Sequence, residues 1–204
     1  VLRFWEPQQY FVVVGYSNKV EREVRRGACK KNGVPIFRRI SGGGTVLQGP
    51  GCLNFSLILK ADRSPFLRTI SQSNRFLMEN QKSALQPLLT LPVEIRGATD
   101  LVLNGKKFSG NAQRRKKSFF LFHGTFLLDF DLALVEALLP TPSRQPAYRQ
   151  NRSHENFLTN LPLSPEKVKE ALKKIWSATQ NLEKVPSPQI KQLATTRYCD
   201  PNWN

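Results

Sequence analysis

Arg38 and Arg39 stand directly before Ile40-Ser41-Gly42-Gly43-Gly44-Thr45-Val46, and a second glycine turn, Gly49-Pro50-Gly51, precedes Cys52 and Asn54. Glycine has no Cβ, so its backbone N–H can approach a ligand closely and its φ can turn positive. Successive exposed N–H groups make a concavity suited to an anion, and an adjacent arginine offers a planar fork to phosphate or carboxylate. A tight turn between strands uses the same residues, and the run alone does not separate the two readings. The pattern is neither G-x-G-x-x-G nor G-x-x-x-x-G-K-[ST], which sets aside the dinucleotide and P-loop readings.

A second chemical cluster lies at Asp100–Leu103, Asn104-Gly105 and Lys106–Gly110. Asn-Gly between two strand-like runs predicts a hairpin closed by a type I′ turn. A two-residue turn sets Leu103 opposite Lys106, Val102 opposite Lys107, Leu101 opposite Phe108 and Asp100 opposite Ser109, and opposed residues share a face. Leu101, Leu103 and Phe108 then share one face with Lys106, while Asp100, Lys107 and Ser109 share the other. That carboxylate and ammonium are either a surface ion pair of little consequence or a site for magnesium phosphate and an acyl carbonyl. Further on, His123-Gly124-Thr125 interrupts the apolar run Phe120–Leu128. Buried polar groups need partners, so His123 is either a satisfied core histidine or a strand-borne ligand contact. His154, in an arginine-rich stretch, reads as solvated.

The elements that must position these residues follow from periodicity and punctuation. Phe11–Gly15 is a β-branched run read as a buried strand. Asn18 is placed to cap a helix over Lys19–Lys31, with Val20, Val24 and Ala28 on one face and Asn32-Gly33 as its stop. Pro35–Arg39 is a strand leading into the glycine run, and Phe55–Lys60 is another. Ser64-Pro65 starts a long helix whose buried stripe is Leu67, Ile70, Leu77, Met78, Ala84, Leu85 and Leu88. Arg114–Lys117 reads as a basic turn and Ser118–Phe130 as a long strand. Asp129 or Asp131 then caps a helix over Leu132–Leu139. Thr141–Glu155 reads as an exposed loop, and Ser164-Pro165-Glu166 opens a last helix with Val168, Leu172, Ile175 and Trp176 on one face. Strands and helices alternate but hairpins recur, which predicts an α/β (α+β) protein with a mixed, largely antiparallel central sheet flanked by helices.

Composition bounds the rest. A chain of 204 residues with 40% hydrophobic content suggests a single domain spanning 1–204 with a sizeable core. No apolar run is long enough to span a membrane, and the first residues do not resemble a signal peptide, so a cytoplasmic location is expected. The three cysteines, Cys29, Cys52 and Cys199, show neither metal-ligand spacing nor a disulfide framework. The formal net charge of +16 favours a polyanion, an acidic protein or a phosphate-bearing substrate. Without zinc-finger spacing, an RRM-type aromatic signature or a helix-turn-helix, nucleic acid is not the expected partner.

Taken together, Arg38–Val46, Asn54-Phe55-Ser56, Thr99-Asp100-Leu101, Gly105–Gln113 and His123-Gly124-Thr125 resemble the motifs of the lipoate–protein ligase A family, in that family's order and at compatible spacing. Arg3-Phe4-Trp5, Val14-Gly15-Tyr16, Arg197-Tyr198 and Trp203-Asn204 extend the resemblance over nearly the whole chain. It implies the biotin/lipoate ligase catalytic fold. It also implies a reaction in which ATP with Mg2+ and lipoate or octanoate give an acyl-adenylate, which a lysine of a lipoyl domain or H protein then attacks. In that scheme Lys107 is the catalytic lysine, bridging acyl carbonyl and α-phosphate oxygens. Arg39, Ser41, Gly42, Gly43, Gly44, Thr45 and Val46 line the acyl-adenylate. Asn54, Ser56, Ser109, Gly110, Asn111, Ala112, His123, Gly124 and Thr125 complete the binding surface, with Gly110-Asn111-Ala112 acting through their backbone. Asp100 positions the phosphates with magnesium.

The chain departs from the family where Gln48-Gly49-Pro50-Gly51-Cys52 replaces the His-Asp and Gly-Asn often seen in ligases. This run is similar to that of the related octanoyltransferases, which work through a cysteine thioester without ATP. Cys52 would have to serve in that role, because Leu88–Leu103 and Ser118–Ser153 contain no cysteine. No room is expected for an accessory C-terminal domain, which leaves a separate accessory subunit as a possible partner. The charge predicts an acidic acceptor docked near Arg114, Arg115, Lys116 and Lys117.

Overall fold

The protein is described by a computed structural model covering residues 1–62, 64–142 and 144–203. Asn204, the last residue of the resemblance, lies outside them. The strands are β1 (Leu2–Trp5), β2 (Phe11–Val14), β3 (Ile36–Arg38), β4 (Val46–Gln48), β5 (Cys52–Lys60), β6 (Val93–Arg96), β7 (Asp100–Leu103), β8 (Lys106–Arg115) and β9 (Phe119–Leu127). The helices are α1 (Val20–Glu23), α2 (Arg26–Lys31), α3 (Ile70–Leu85), α4 (Leu132–Leu138), α5 (His154–Phe157), α6 (Pro165–Ile175) and α7 (Ser187–Leu193). Six strands form one sheet in the order β1-β5-β9-β8-β7-β6, with every neighbouring pair antiparallel. A smaller sheet, β3-β2-β4, pairs β2 parallel to β3 and antiparallel to β4.

Alternation along the strands gives the large sheet two different faces. Leu53, Phe55 and Leu57 of β5 and Phe120, Phe122 and Phe126 of β9 belong to one buried cluster with Leu77, Met78 and Leu85 of α3 and Val168 and Leu172 of α6. Burying each such side chain contributes roughly 1.5–3 kcal/mol. The opposite face carries Asn54, His123 and Thr125, cross-paired as Asn54↔Thr125 and Ser56↔His123. A second core of Val12, Val14, Val20, Cys29, Cys52, Val135 and Leu138 joins the small sheet to α1, α2 and α4. The residues available for chemistry therefore lie between two cores.

Several elements differ from the sequence expectation for identifiable reasons. The helix predicted over Lys19–Lys31 is two short ones, because Val24 adopts extended backbone (φ −140°, ψ 133°) and turns into the second core. Asn18 does not cap it; its Nδ2 donates to the Gly43 carbonyl instead. The helix expected from Ser64 opens as a 3-10 turn, Pro65–Leu67, and α3 starts only at Ile70, capped by Thr69. Ile70 and Leu88 are exposed rather than buried. Arg114 and Arg115 belong to strand β8, so the basic turn begins two residues later, at Lys116. Asp131, not Asp129, caps α4 through Oδ1. The expected loop Thr141–Glu155 holds a 3-10 turn, Ala147–Arg149, and leads directly into α5. Among the described residues, no helix is long and apolar enough to cross a membrane.

Candidate functional site

A cavity of about 520 Å³ opens between the two sheets. Its first wall is the glycine run between β3 and β4. Arg39 shapes that run from within: Nη2 donates to the Gly42 and Gly44 carbonyls at 2.7 Å each. Nε reaches Ser41 Oγ at 3.2 Å and Nη1 reaches the Val13 carbonyl at 3.3 Å. Burial pulls the Arg39 guanidinium down to about 10, still charged at neutral pH. Gly43 adopts φ +95°, a conformation that favours glycine, and a Cβ there would meet Arg39 Nη2 at 2.9 Å and push on the guanidinium. The run is anchored from behind by Tyr16 N, which donates to the Ser41 carbonyl at 2.9 Å.

The β7–β8 hairpin supplies the opposite wall, and its register contains a bulge absent from the sequence expectation. Val102 faces Lys107, but Leu101 faces Ser109 and Asp100 faces Gly110, which leaves Phe108 as the extra residue. Ser109 is consequently not on the face of Asp100 and Lys107. It is paired with Phe126 of the core-facing set, and Asn111 is paired with Gly124. The Asn111 amide turns to the helix side, where Nδ2 donates to the Thr99 carbonyl at 2.8 Å and approaches Met78 Sδ at 3.6 Å. Asp100 and Lys107 do meet, with Nζ to Oδ1 at 2.8 Å. The Lys107 ammonium passes over Gly110, where a Cβ would sit 2.8 Å from Nζ. Any side chain at Gly110 would block that path.

The other oxygen of Asp100 accepts from the Tyr148 hydroxyl at 2.7 Å. Each carboxylate oxygen thus has one partner and keeps a further lone pair, directed by Lys107 on one side and Tyr148 on the other. Among the described residues, no group of three or more His, Cys, Asp or Glu side chains surrounds a point where a metal would sit. Tyr148 keeps its proton well above the usual phenol range, through burial first and then the Asp100 charge.

On the floor, His123 Nε2 lies 2.6 Å from Ser41 Oγ. Burial, with the Arg39 charge adding, pulls His123 down to about 4, so its imidazole is neutral at physiological pH. Beside it runs a closed ring of uncharged hydrogen bonds. Gln48 Nε2 donates to Thr125 Oγ1 at 2.8 Å, Thr125 Oγ1 to Asn54 Oδ1 at 2.5 Å, and Asn54 Nδ2 to Gln48 Oε1 at 2.8 Å. Trp5, Phe11, Leu47, Leu127, Phe130 and Phe157 make the remaining wall mostly apolar, as is usual for a small-molecule pocket.

Most of the residues picked out from sequence come together here. Arg39, Gly43, Gly44, Thr45, Val46, Asn54, Asp100, Lys107, Gly110, Ala112, His123 and Thr125 line the cavity, and Ser109, Asn111 and Gly124 border it from the helix-facing register. Ser41 and Gly42 are outside the lining but bond to His123 and Arg39, which are in it. Ser56 shares the His123 face but lies outside the lining. Sequence reasoning missed Gln48, Tyr148 and Arg149, which also border the site, and His154 is buried rather than solvated. Its Nε2 lies 3.1 Å from the Pro140 carbonyl, and its backbone N–H donates to Glu136. The available signal was a tyrosine, two arginines and a histidine at close spacing before Phe157, more than a solvated loop requires.

Residues 1–176 match the model of the lipoyl protein ligase A/B catalytic domain. The chain is 26% identical to the octanoyltransferase LipM of Geobacillus kaustophilus, over 98% of this chain and 84% of that one. It superposes on the bi-partite lipoate protein ligase of Thermoplasma acidophilum, studied with its E2 lipoyl domain, with a TM-score of 0.82 at 25% identity, covering 100% of this chain and 82% of that one. On a lipoate-protein ligase A bound with ATP the TM-score is 0.79 at 26% identity, covering 99% and 84%. The glycine run, the lysine hairpin and the mixed sheet thus sit within a matched segment that takes in every strand, and the chain belongs to the lipoyl protein ligase A/B catalytic-domain family of protein-lipoylation enzymes.

Proposed function

We propose that this chain is an ATP-dependent lipoate–protein ligase. Lipoate or octanoate attacks the α-phosphate of ATP, and the new acyl–phosphate bond forms as pyrophosphate leaves. The amine of an acceptor lysine, on a lipoyl domain or H protein, then attacks the acyl carbonyl and AMP leaves. Negative charge develops on phosphate oxygens in the first step and on the carbonyl oxygen in the second. A fixed ammonium at Lys107 stabilises both, acting in a partly desolvated site where such a charge counts for more than in water. The Gly43-Gly44 backbone lines the nucleotide side, and the apolar wall takes the acyl chain. Magnesium would be held mainly by the nucleotide phosphates, with the Asp100 carboxylate beside Lys107 helping to position them.

The observation that carries the ligase reading is the position of the cysteines. A thioester mechanism needs an exposed thiolate beside Lys107. Cys52 is 2% exposed and belongs to the second core, and burial pushes its thiol up to about 12. Cys29 is buried, and Cys199, though exposed, is not among the residues that line the cavity. The 26% identity to LipM favours the second reading, transfer without ATP. One experiment separates them: purified chain and a lipoyl-domain acceptor, given lipoate with and without ATP or an acylated carrier protein without ATP, read by mass spectrometry alongside Cys52→Ala. The ligase reading expects adduct only with ATP, and Cys52→Ala within about twofold of the parent. Transfer from an acylated carrier without ATP, through a thioester trapped on Cys52, establishes the transferase instead.

A further inference from the structure

The stretch between α4 and α6 grips the lysine hairpin at several points. Arg152 Nη1 donates to the Gly105 carbonyl at the hairpin's turn, at 2.9 Å. Thr159 N donates to the Lys107 carbonyl at 3.0 Å. Tyr148 closes the third contact with its 2.7 Å bond to Asp100 Oδ2. The tyrosine is itself well fixed. Arg152 Nη2 donates to its carbonyl at 2.9 Å, and its ring packs against Phe157 with centroids 5.3 Å apart.

We infer that Tyr148 is a positioning residue for acyl transfer: its hydroxyl fixes the Asp100 carboxylate, and Asp100 in turn aims the Lys107 ammonium over Gly110 into the cavity. A lysine side chain loses about 2 kcal/mol of rotamer freedom when it is held in one place. A carboxylate anchored through one oxygen alone can rotate and release it. Anchoring the second oxygen removes that motion, so the ammonium waits where charge will develop rather than finding it during the reaction. This inference rests on the role given to Lys107 above.

The test is a double-mutant cycle on the full chain, with Tyr148→Phe, Asp100→Asn and the pair, each checked for folding by thermal melting. Tyr148→Phe is expected to lower kcat about tenfold to a hundredfold, the worth of one hydrogen bond to a charged group. KM for the acid should stay within about twofold. In the Asp100→Asn background the tyrosine change should add less than about twofold, because the two act on one chain of contacts. Full activity in Tyr148→Phe, or the same loss in both backgrounds, overturns the inference. A readout independent of turnover is the titration of 13C-labelled tyrosine by NMR. Tyr148 should titrate above the other tyrosines, and Asp100→Asn should bring it down. If the parent chain turns over under no condition the functional reading fails, and an unchanged Tyr148 titration in Asp100→Asn would still overturn the contact.

Discussion

Lys106 and Lys107 are neighbours of the same type with opposite surroundings. Lys106 is exposed beside the turn, whereas Lys107 is paired with Asp100 inside the cavity mouth. Lys107→Ala should therefore reduce acyl transfer by at least about a hundredfold, the scale at which a fixed charge stabilises a transition state. Lys106→Ala should stay within about twofold, and comparable losses in steady-state assays would refute the facing. His123 gives a prediction in pH. Its folded value of about 4 lies below the ordinary 6.5, so between those values the unfolded chain takes up the proton and the folded one does not. Stability is complete above pH 6.5 and falls as pH drops toward 4, by at most on the order of 3 kcal/mol from this group. Buried His154 is lowered too, so it adds to the same slope. Denaturant unfolding from pH 7 to pH 4 should show a shallower loss in His123→Gln. An unchanged slope would mean that His123 does not carry it.

At the scale of elements, the β8 strand shows how one residue can leave the solvent. Sequence reasoning assigns Arg115 to a basic docking turn. In the structure its Nη2 donates to the Leu67 carbonyl at 2.6 Å and its guanidinium lies over the Phe120 ring, 4.7 Å from the centroid. Arg115 thus ties β8 to the 3-10 turn that precedes α3. Arg115→Ala should cost about 1–3 kcal/mol by stranding those acceptors and uncovering the ring, whereas Lys116→Glu should leave the melting temperature nearly unchanged. Thermal melts of the two variants at one pH decide this, and equal midpoints would count against the tie. The bulge at Phe108 belongs to the same scale. It keeps Phe108 in the core and turns Ser109 away from Lys107, which two-residue-turn arithmetic could not foresee because a bulge is a tertiary accommodation.

For the whole molecule, the net charge of +16 still predicts an acidic acceptor steered by long-range attraction. The basic residues left for docking near the β8–β9 turn are Arg114, Lys116 and Lys117. Arg114 stacks on exposed Tyr16, next to the backbone that anchors the glycine run. Reversing Lys116 and Lys117 to glutamate should raise the acceptor KM several-fold at low ionic strength, flatten its dependence on salt, and leave adenylate formation alone. An acceptor KM indifferent to both changes at low salt, where screening is weakest, would move the docking surface elsewhere.

What could be read in advance was whatever local chemistry dictates. Asn104-Gly105 requires a hairpin, the apolar run around His123-Gly124-Thr125 requires a long strand, and the glycine run with Arg39 and the lysine hairpin carries the family motifs in order. The small parallel pair, the break at Val24 and the bulge at Phe108 depend on what each segment packs against, and no short window contains that. The same holds for function. A sequence names Asp100, Lys107 and Cys52 as candidates but carries no information on solvent access. Only the folded chain decided that Cys52 lies in a core, that Arg39 spends its donors on the glycine run, and that Tyr148 crosses from a supposed loop to hold Asp100. Burial and long-range hydrogen bonding set reactivity, and both are properties of the assembled structure rather than of the order of residues.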